Sequence, residues 1–158
     1  MSFSVTLTEN EMRIIRILAE LRSMTNRAMN VPRGAIDHAP NHILDIHGLM
    51  GEVAFCKHFN LYFDPTVNPR SGTYDCLYMG KRIDIKSTDH PKGNLITTMK
   101  INKDVDVYVL ALIENNTVTF PGYCTAKNLY NPENIKDLGY GDTYVVERDQ
   151  LTPWKNDD

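Results

Sequence analysis

Residues 73–87 decide the fold of this chain, and they read TYDCLYMGKRIDIKS. Side chains alternate between polar and apolar on both sides of Met79-Gly80, which is typical of two strands joined by a tight turn. If Met79-Gly80 is a two-residue turn, Tyr78 pairs with Lys81 and the register of the whole hairpin follows. The stretch therefore predicts an antiparallel hairpin with one face toward the core.

The predicted register places two carboxylates against each other. Counting back from the turn puts Asp75 directly opposite Asp84, where Cβ atoms lie roughly 4.5–5.5 Å apart and like charges destabilise the pair. Alternation sends Ile83 and Ile85 to the core and leaves Lys86 on the same face as Asp84. Opposed carboxylates call for a cation, so the hairpin predicts a metal site with an ammonium group beside it.

A helix predicted from about residue 40 to residue 60 carries a third carboxylate, Glu52. Its arc of the helix is apolar, and Asp45, seven residues earlier, points in the same direction. Gly48 and Gly51 flank that face and would let the helix approach a strand closely. A carboxylate among apolar side chains should bind a metal or be paired with an arginine or an N–H group, and the sequence leaves both alternatives open.

The rest of the chain adds elements on either side of this stretch. Thr8 to Glu11 forms a capping box, so an N-terminal helix is expected within residues 8–30. Val105–Ile113 is a nearly continuous apolar run, typical of a strand covered on both faces. Further strands are predicted at residues 117–123 and 143–146 and around 61–63, short helices at 125–130 and 132–138, and an irregular connection at 88–104.

The order of these elements predicts a single α/β (α+β) domain spanning residues 1–158, with a central mixed β-sheet flanked by helices. Its core would occupy about residues 40–125, followed by a small C-terminal part at 126–158.

The pattern resembles the PD-(D/E)XK nuclease superfamily, which has the restriction-endonuclease-like fold. That family combines a helical acidic residue, a strand Asp and an acid-x-Lys triplet on the next strand. Here these read Gly51-Glu52-Val53, Tyr74-Asp75 and Asp84-Ile85-Lys86. Tyr74 stands where the family name has proline. Residues 118–123 and Tyr130 are similar to the closing strand and helix of small phage-encoded members.

The resemblance implies a metal-dependent deoxyribonuclease with Glu52, Asp75, Asp84 and Lys86 as its catalytic residues. The metal would be Mg²⁺, with Mn²⁺ as a substitute, because hard oxygen ligands suit these ions. Its ligands would be Asp75, Asp84, the carbonyl of Ile85 and Glu52. Lys86 would position and activate water or stabilise developing charge. DNA is favoured over RNA as substrate and endonuclease over exonuclease action, and the resemblance also implies a homodimer.

Net charge differs along the chain. The total is −3, from 17 basic and 20 acidic residues, and taken alone it argues against a nucleic-acid partner. Residues 64–103, however, hold seven basic and four acidic side chains, whereas residues 104–158 hold four basic and ten acidic ones. The predicted site thus lies in the one part of the chain that is net basic, where a polyanion could bind.

Basic residues around the site are candidates for phosphate contacts. The four favoured positions flank the predicted metal site: Arg70, Arg82, Lys92 and Lys100. Those of the first helix and the following loop are alternatives, but a solvated helix face is the favoured interpretation: Arg13, Arg16, Arg22, Arg27 and Arg33.

Two other functions fit the same fold. One is a catalytically inactive nucleic-acid-binding module, and the other is a phage accessory or interaction protein whose acidic C-terminal third binds a partner. The presence of all four polar residues of the motif favours an active nuclease over the inactive binding module.

Composition indicates an ordinary globular protein. Hydrophobic residues make up 42% and charged residues 23%, which excludes long disordered or collagen-like segments. No apolar run approaches the ~20 residues of a membrane span, and no signal peptide is evident at the start of the sequence. Three scattered cysteines predict reduced thiols in a cytosol, and the resemblance to small phage-encoded nucleases implies the cytoplasm of a prokaryotic or phage-infected host cell.

Overall fold

The computed structural model describes residues 2–28, 41–66 and 74–155 and shows a mixed α/β fold. The elements in chain order are β1 (Phe3–Thr6), α1 (Glu9–Ala28), α2 (Asn41–Phe59), β2 (Cys76–Tyr78), β3 (Lys81–Thr88), β4 (Leu95–Thr97), β5 (Val107–Glu114), β6 (Thr117–Thr125), α3 (Ala126–Leu129), β7 (Ile135–Asp137) and β8 (Asp142–Val146). Short 3₁₀ turns at Pro132–Asn134 and Arg148–Gln150 complete the C-terminal part.

The two long helices form where the sequence predicts them. The capping box is present: the N–H of Thr8 donates to Glu11 Oε1 at 2.8 Å, and the N–H of Glu11 donates to Thr8 Oγ1 at 3.1 Å. α2 is apolar around most of its circumference because it packs between α1 and the sheet, and Phe55 is fully buried there. Neither these helices nor any other helix in the described ranges has the length and apolarity for crossing a bilayer.

A five-stranded mixed sheet lies at the centre, with strand order β1-β6-β5-β3-β2. β3 and β5 are parallel and the other neighbours are antiparallel. The predicted hairpin is confirmed, with Tyr78 paired to Lys81 around the turn. β1 completes the sheet beyond β6 and was not predicted from the sequence.

β5 separates two hydrophobic clusters, as its unbroken apolar sequence predicts. Val109 and Ala111 belong to the cluster that α1 and α2 cover, whereas Tyr108 and Leu110 belong to the cluster on the opposite face. α3 and a second sheet, with strand order β4-β8-β7, cover that opposite face. β5, at the middle of the central sheet, is therefore covered on both faces.

Three predictions of short elements were wrong. The connection at 88–104 contains β4, the segment predicted as a helix at 132–138 is a 3₁₀ turn followed by β7, and residues 61–63 are not a strand. β4 and β7 have three residues each, and such short strands depend on β8 between them rather than on their own sequence.

Candidate metal-binding and catalytic site

The candidate site lies at the edge of the central sheet where β2 begins. Cys76 pairs with Ile83, and the preceding N–H, that of Asp75, donates to the carbonyl of Ile83 at 2.8 Å. Asp75 and Cys76 therefore both lie opposite Ile83, so the pairing of the two strands shifts by one residue at Asp75. The direct opposition of Asp75 and Asp84 predicted from the sequence is therefore not observed. Instead, Asp75 Oδ2 accepts a hydrogen bond of 2.7 Å from the N–H of Ile85, which holds the carboxylate beside the backbone of β3.

Gly51 brings the third carboxylate to this edge. A Cβ atom at residue 51 would clash with Ser87 Oγ and lie 3.1 Å from Ile85 Cγ2, so the absence of a side chain lets α2 approach β3. The predicted close approach is confirmed at Gly51, whereas Gly48 has open space around it. Glu52, the next residue on α2, thereby comes close enough to Asp75 for the two carboxyl groups to affect each other's pKa.

The three carboxylates interact strongly. Burial raises the pKa of Asp75 well above its ordinary value, and the charges of Glu52 and Asp84 raise it further. Burial also raises the pKa of Glu52, although the nearby Arg22 guanidinium opposes this effect. Asp84 is 8% exposed. A cluster of this kind disfavours its own negative charge, which is a common property of functional sites.

Lys86 supplies a positive charge beside the carboxylates. Its Nζ lies 2.7 Å from Asp84 Oδ2 and 5.9 Å from the centre of the Tyr108 ring. Burial works to lower the pKa of Lys86, but Asp84 and then Asp75 raise it above its ordinary value. Lys86 is therefore protonated at neutral pH. Its side chain as a whole is 42% exposed.

The donor chemistry fits a hard divalent cation, although the oxygens are not gathered around a common point. Within the described ranges, no three His, Cys, Asp or Glu side chains form a metal-binding group. Asp75 Oδ2 accepts a hydrogen bond from the N–H of Ile85, and Asp84 Oδ2 lies 2.7 Å from Lys86 Nζ. Asp84 Oδ2 is buried and its partner is a cation, which fits an oxygen that can bind a positive charge.

The carbonyl of Ile85 faces the same edge. In a strand, the N–H and C=O of one residue point to the same side, and the N–H of Ile85 points to Asp75. β2 pairs with β3 only as far as Ile83, so in the described part of the chain no strand covers the Ile85 carbonyl on that side.

The predicted phosphate-contacting residues do not form one group with the carboxylates. Arg82 is bound to Asp106 through Nε at 3.1 Å and Nη2 at 3.0 Å. These hydrogen bonds lower the pKa of Asp106 to about 2. Lys92 and Lys100 are exposed, and Arg70 lies outside the described residues.

The first helix has basic side chains of two kinds. Arg13 and Arg16 are exposed, as a solvated face predicts. Arg22 is different, which corrects that interpretation: its Nη1 lies 3.6 Å from Glu52 Oε2. Its Nε and Nη2 donate to the carbonyls of Thr66 at 3.2 Å and Asp64 at 2.9 Å. Arg33 lies outside the described residues, and the side chain of Arg27 is not described.

Tyr108 is a functional candidate that sequence reasoning missed, whereas Tyr130 and Arg22 were named there without the contacts that they make. Tyr108 is adjacent to Asp84 in the β3–β5 pairing, and its hydroxyl is hydrogen-bonded to that of Tyr130. Burial and then Tyr130 raise the pKa of Tyr108, so its hydroxyl stays protonated. Knowledge of the β3–β5 register would have placed Tyr108 beside Asp84. Parallel strands are joined by a long crossover connection, however, so the sequence has no local signal of how they align.

The three cysteines are free and buried, in agreement with the predicted reduced thiols. Cys56 of α2 and Cys76 of β2 form a hydrogen-bonded pair, which lowers the pKa of Cys56 and raises that of Cys76. Cys56 follows Glu52 on α2 by four residues, and Cys76 follows Asp75 directly, so the thiol pair is close to two of the carboxylates.

No protein-family model matches this sequence, and the search of curated proteins finds no significant relative. The functional argument therefore rests on the motif and on the geometry of the site.

Proposed function

We propose that this protein is a Mg²⁺-dependent deoxyribonuclease of the PD-(D/E)XK type with a restriction-endonuclease-like core. The observation that carries the proposal is the meeting of four polar side chains from three parts of the fold at one sheet edge: Glu52 of α2, Asp75 before β2, and Asp84 and Lys86 of β3. Burial raises the pKa of both Asp75 and Glu52, and the charge of Asp84 raises both further, which is the kind of perturbation that clusters at functional sites. Endonuclease action and a phage-type role are part of the same proposal.

The carboxylates and the Ile85 carbonyl are the groups that would hold the metal. When bound, Mg²⁺ supplies charge neutralisation at the scissile phosphate and lowers the pKa of a bound water. Arg22 fixes the position of Glu52, and the N–H of Ile85 fixes that of Asp75. These contacts set the positions of two carboxylates in advance, which is the form in which electrostatic stabilisation is most effective.

Lys86 acts as a proton donor and positive charge rather than as a base at rest. Its raised pKa follows from the carboxylates beside it. In this state the ammonium group can orient a water molecule toward the phosphate and stabilise the negative charge that develops during attack. The nearby Tyr108 ring favours the cationic form further.

The test is cleavage of supercoiled, linear, single-stranded and branched DNA in Mg²⁺, in Mn²⁺ and in EDTA. Asp84→Asn and Lys86→Met should abolish cleavage while circular dichroism shows an unchanged fold. Asp89→Asn and Lys127→Met are matched controls, because they make the same charge changes at exposed positions outside the carboxylate cluster. Failure of the unaltered protein to cut any substrate in Mn²⁺, or equal cutting by the two site variants, rejects the nuclease proposal.

The same assay separates the alternatives. Metal-independent binding of DNA without cleavage would favour the inactive binding module. Absence of both binding and cleavage would favour the interaction protein, whose predicted partner surface lies in residues 104–158.

A homodimer remains a proposal, and α1 offers a surface for it. Four large apolar side chains on this helix are 47–63% exposed: Ile14, Ile17, Leu21 and Met24. Their spacing of three, four and three residues is that of the seam between two packed helices, which favours the same helix of a second copy as the partner.

A further inference from the structure

A second candidate site lies at the other end of the hairpin from the carboxylates. A cavity of about 690 Å³ opens there, a size within the range of roughly 300–1,000 Å³ typical of small-ligand sites. Five aromatic residues line it: Phe3, Phe59, Tyr78, Tyr123 and Trp154. They come from four separate parts of the fold and the C-terminal segment, so the cavity is built by tertiary packing rather than by one loop.

Among the described residues that line this cavity, the charged side chains are Lys81 and Lys155, and none is Asp or Glu. His58 also lines it. Both lysines are exposed. Asp106 lies near Lys81, but its carboxylate is engaged by Arg82. An apolar interior with cations at the opening selects a ligand that has an apolar body and an anionic group.

The rings favour a planar ligand body. Phe3 stacks on His58 with centroids 3.9 Å apart, whereas Trp154 is tilted by 48° against Tyr123 and by 46° against Phe59. Aromatic side chains presented at different angles can take a flat π-system by stacking and by edge contacts, and this is how proteins hold unpaired nucleobases.

We propose that this cavity binds a nucleotide, with the base among the aromatic rings and the phosphate at Lys81 and Lys155. Binding of a free mononucleotide requires neither metal nor catalysis, so it goes beyond the proposed function.

The position of the cavity also suggests what it does for a DNA substrate. Asp75 and Tyr78 are three strand residues apart, and Glu52 and Phe59 are seven helix residues apart, so both elements place the cavity roughly 10 Å from the carboxylates. A base of the bound strand that is near the cut could occupy it. This role in substrate binding rests on the proposed function.

Trp154 provides a direct test, because it is the single tryptophan of the chain and lines the cavity. The full chain in EDTA is titrated with deoxyadenosine monophosphate while tryptophan emission is excited at the red edge of its absorption, where adenine does not absorb. Saturable change is expected. Deoxyadenosine should bind roughly tenfold more weakly, because it lacks the charge-assisted contacts of the phosphate.

Two variants and one competitor ligand make the result specific. Lys155→Glu should weaken nucleotide binding roughly tenfold or more, whereas Lys127→Glu, the same change at an exposed lysine outside the cavity, should leave it unchanged. Octanoate, an apolar anion without a planar ring, should not compete.

Three outcomes would overturn the proposal: no saturable change with the nucleotide, octanoate binding as tightly as the nucleotide, or equal weakening by both lysine variants. Asp84→Asn should bind the nucleotide like the unaltered chain. Nucleotide binding by a protein that cuts no DNA would therefore reject the nuclease and leave this site standing.

Discussion

Replacing Asp75 with asparagine should stabilise the protein at neutral pH while abolishing its proposed activity. The amide has the shape of the protonated carboxyl and can still accept the hydrogen bond from the N–H of Ile85. It removes the charge that Glu52 and Asp84 oppose. Because the folded protein prefers Asp75 neutral more than the unfolded chain does, a neutral isostere should favour the folded state.

The size of the effect is set by two opposing contributions. Removing repulsion at a destabilised functional site typically gains about 0.5–2 kcal/mol. The hydrogen bond from the N–H of Ile85 becomes weaker, since bonds to charged acceptors contribute about 1 kcal/mol more than bonds to neutral ones. The pKa of Asp75 is raised even though this hydrogen bond lowers it, so the repulsion and burial outweigh the bond. The net gain should therefore be positive and raise the Tm by roughly 1–8 °C in a domain of this size.

The pH dependence of stability determines the sign of the difference between Asp75→Asn and the unaltered protein. Between the ordinary pKa of 3.8 and the raised folded value, the native state binds more protons than the unfolded state. The stability of the unaltered protein therefore falls as pH rises through this window. The advantage of Asp75→Asn should be largest above the folded pKa and disappear below pH 3.8, where Asp75 is protonated in both states.

Thermal and urea unfolding of the two proteins across this pH range measure the effect. Asp89→Asn, at an exposed site, is the matched control and should change stability by less than about 0.5 kcal/mol. If Asp75→Asn destabilises the protein at neutral pH, or if its effect does not shrink on acidification, the three carboxylates do not interact as described.

Three further predictions concern the neighbouring helices. Gly51→Ala should destabilise the fold by up to about 2 kcal/mol in urea unfolding, because overpacking costs about 1–3 kcal/mol and the higher helix propensity of alanine offsets about 1 kcal/mol. Most of this loss should disappear in a Ser87→Ala background, and an unchanged loss would place the clash elsewhere. Arg22→Gln removes the cation beside Glu52, so the pKa of that carboxyl should rise and the acidic limb of the cleavage–pH profile should move to higher pH; an unmoved limb would show that Glu52 does not titrate in the reaction. Ile17→Lys should convert a dimer to monomer in sedimentation analysis, and a dimer that persists would exclude the exposed face of α1.

The sequence predicted well those features that depend on local pattern. The hairpin turn, the capping box and the strand at β5 each follow from a few adjacent residues, and all three are present. Gly51 is similar, since a small residue beside Glu52 on an apolar helix face indicates close packing. The carboxylates and Lys86 were found for the same reason: alternation along one strand and around one helix determines their faces.

What the sequence could not predict depends on long-range packing. The register shift at Asp75 accompanies a hydrogen bond from the N–H of Ile85 to its carboxylate. The alternation of polar and apolar residues carries no information about such a side-chain-to-backbone bond. Arg22 reaches Glu52 only because α1 and α2 are adjacent. The second sheet combines β4 with strands more than 35 residues later in the chain, and such pairings leave no periodic signal.

The placement of β5 between the two hydrophobic clusters has a consequence for how the molecule opens. Its alternate side chains are shared by both clusters, so neither cluster can lose its packing without exposing part of the other. The two layers should therefore unfold in one cooperative step, and the slowest amides to exchange hydrogen should be those of β5. Partial opening would then be confined to the edge of the sheet, which is where Asp75 and Lys86 lie.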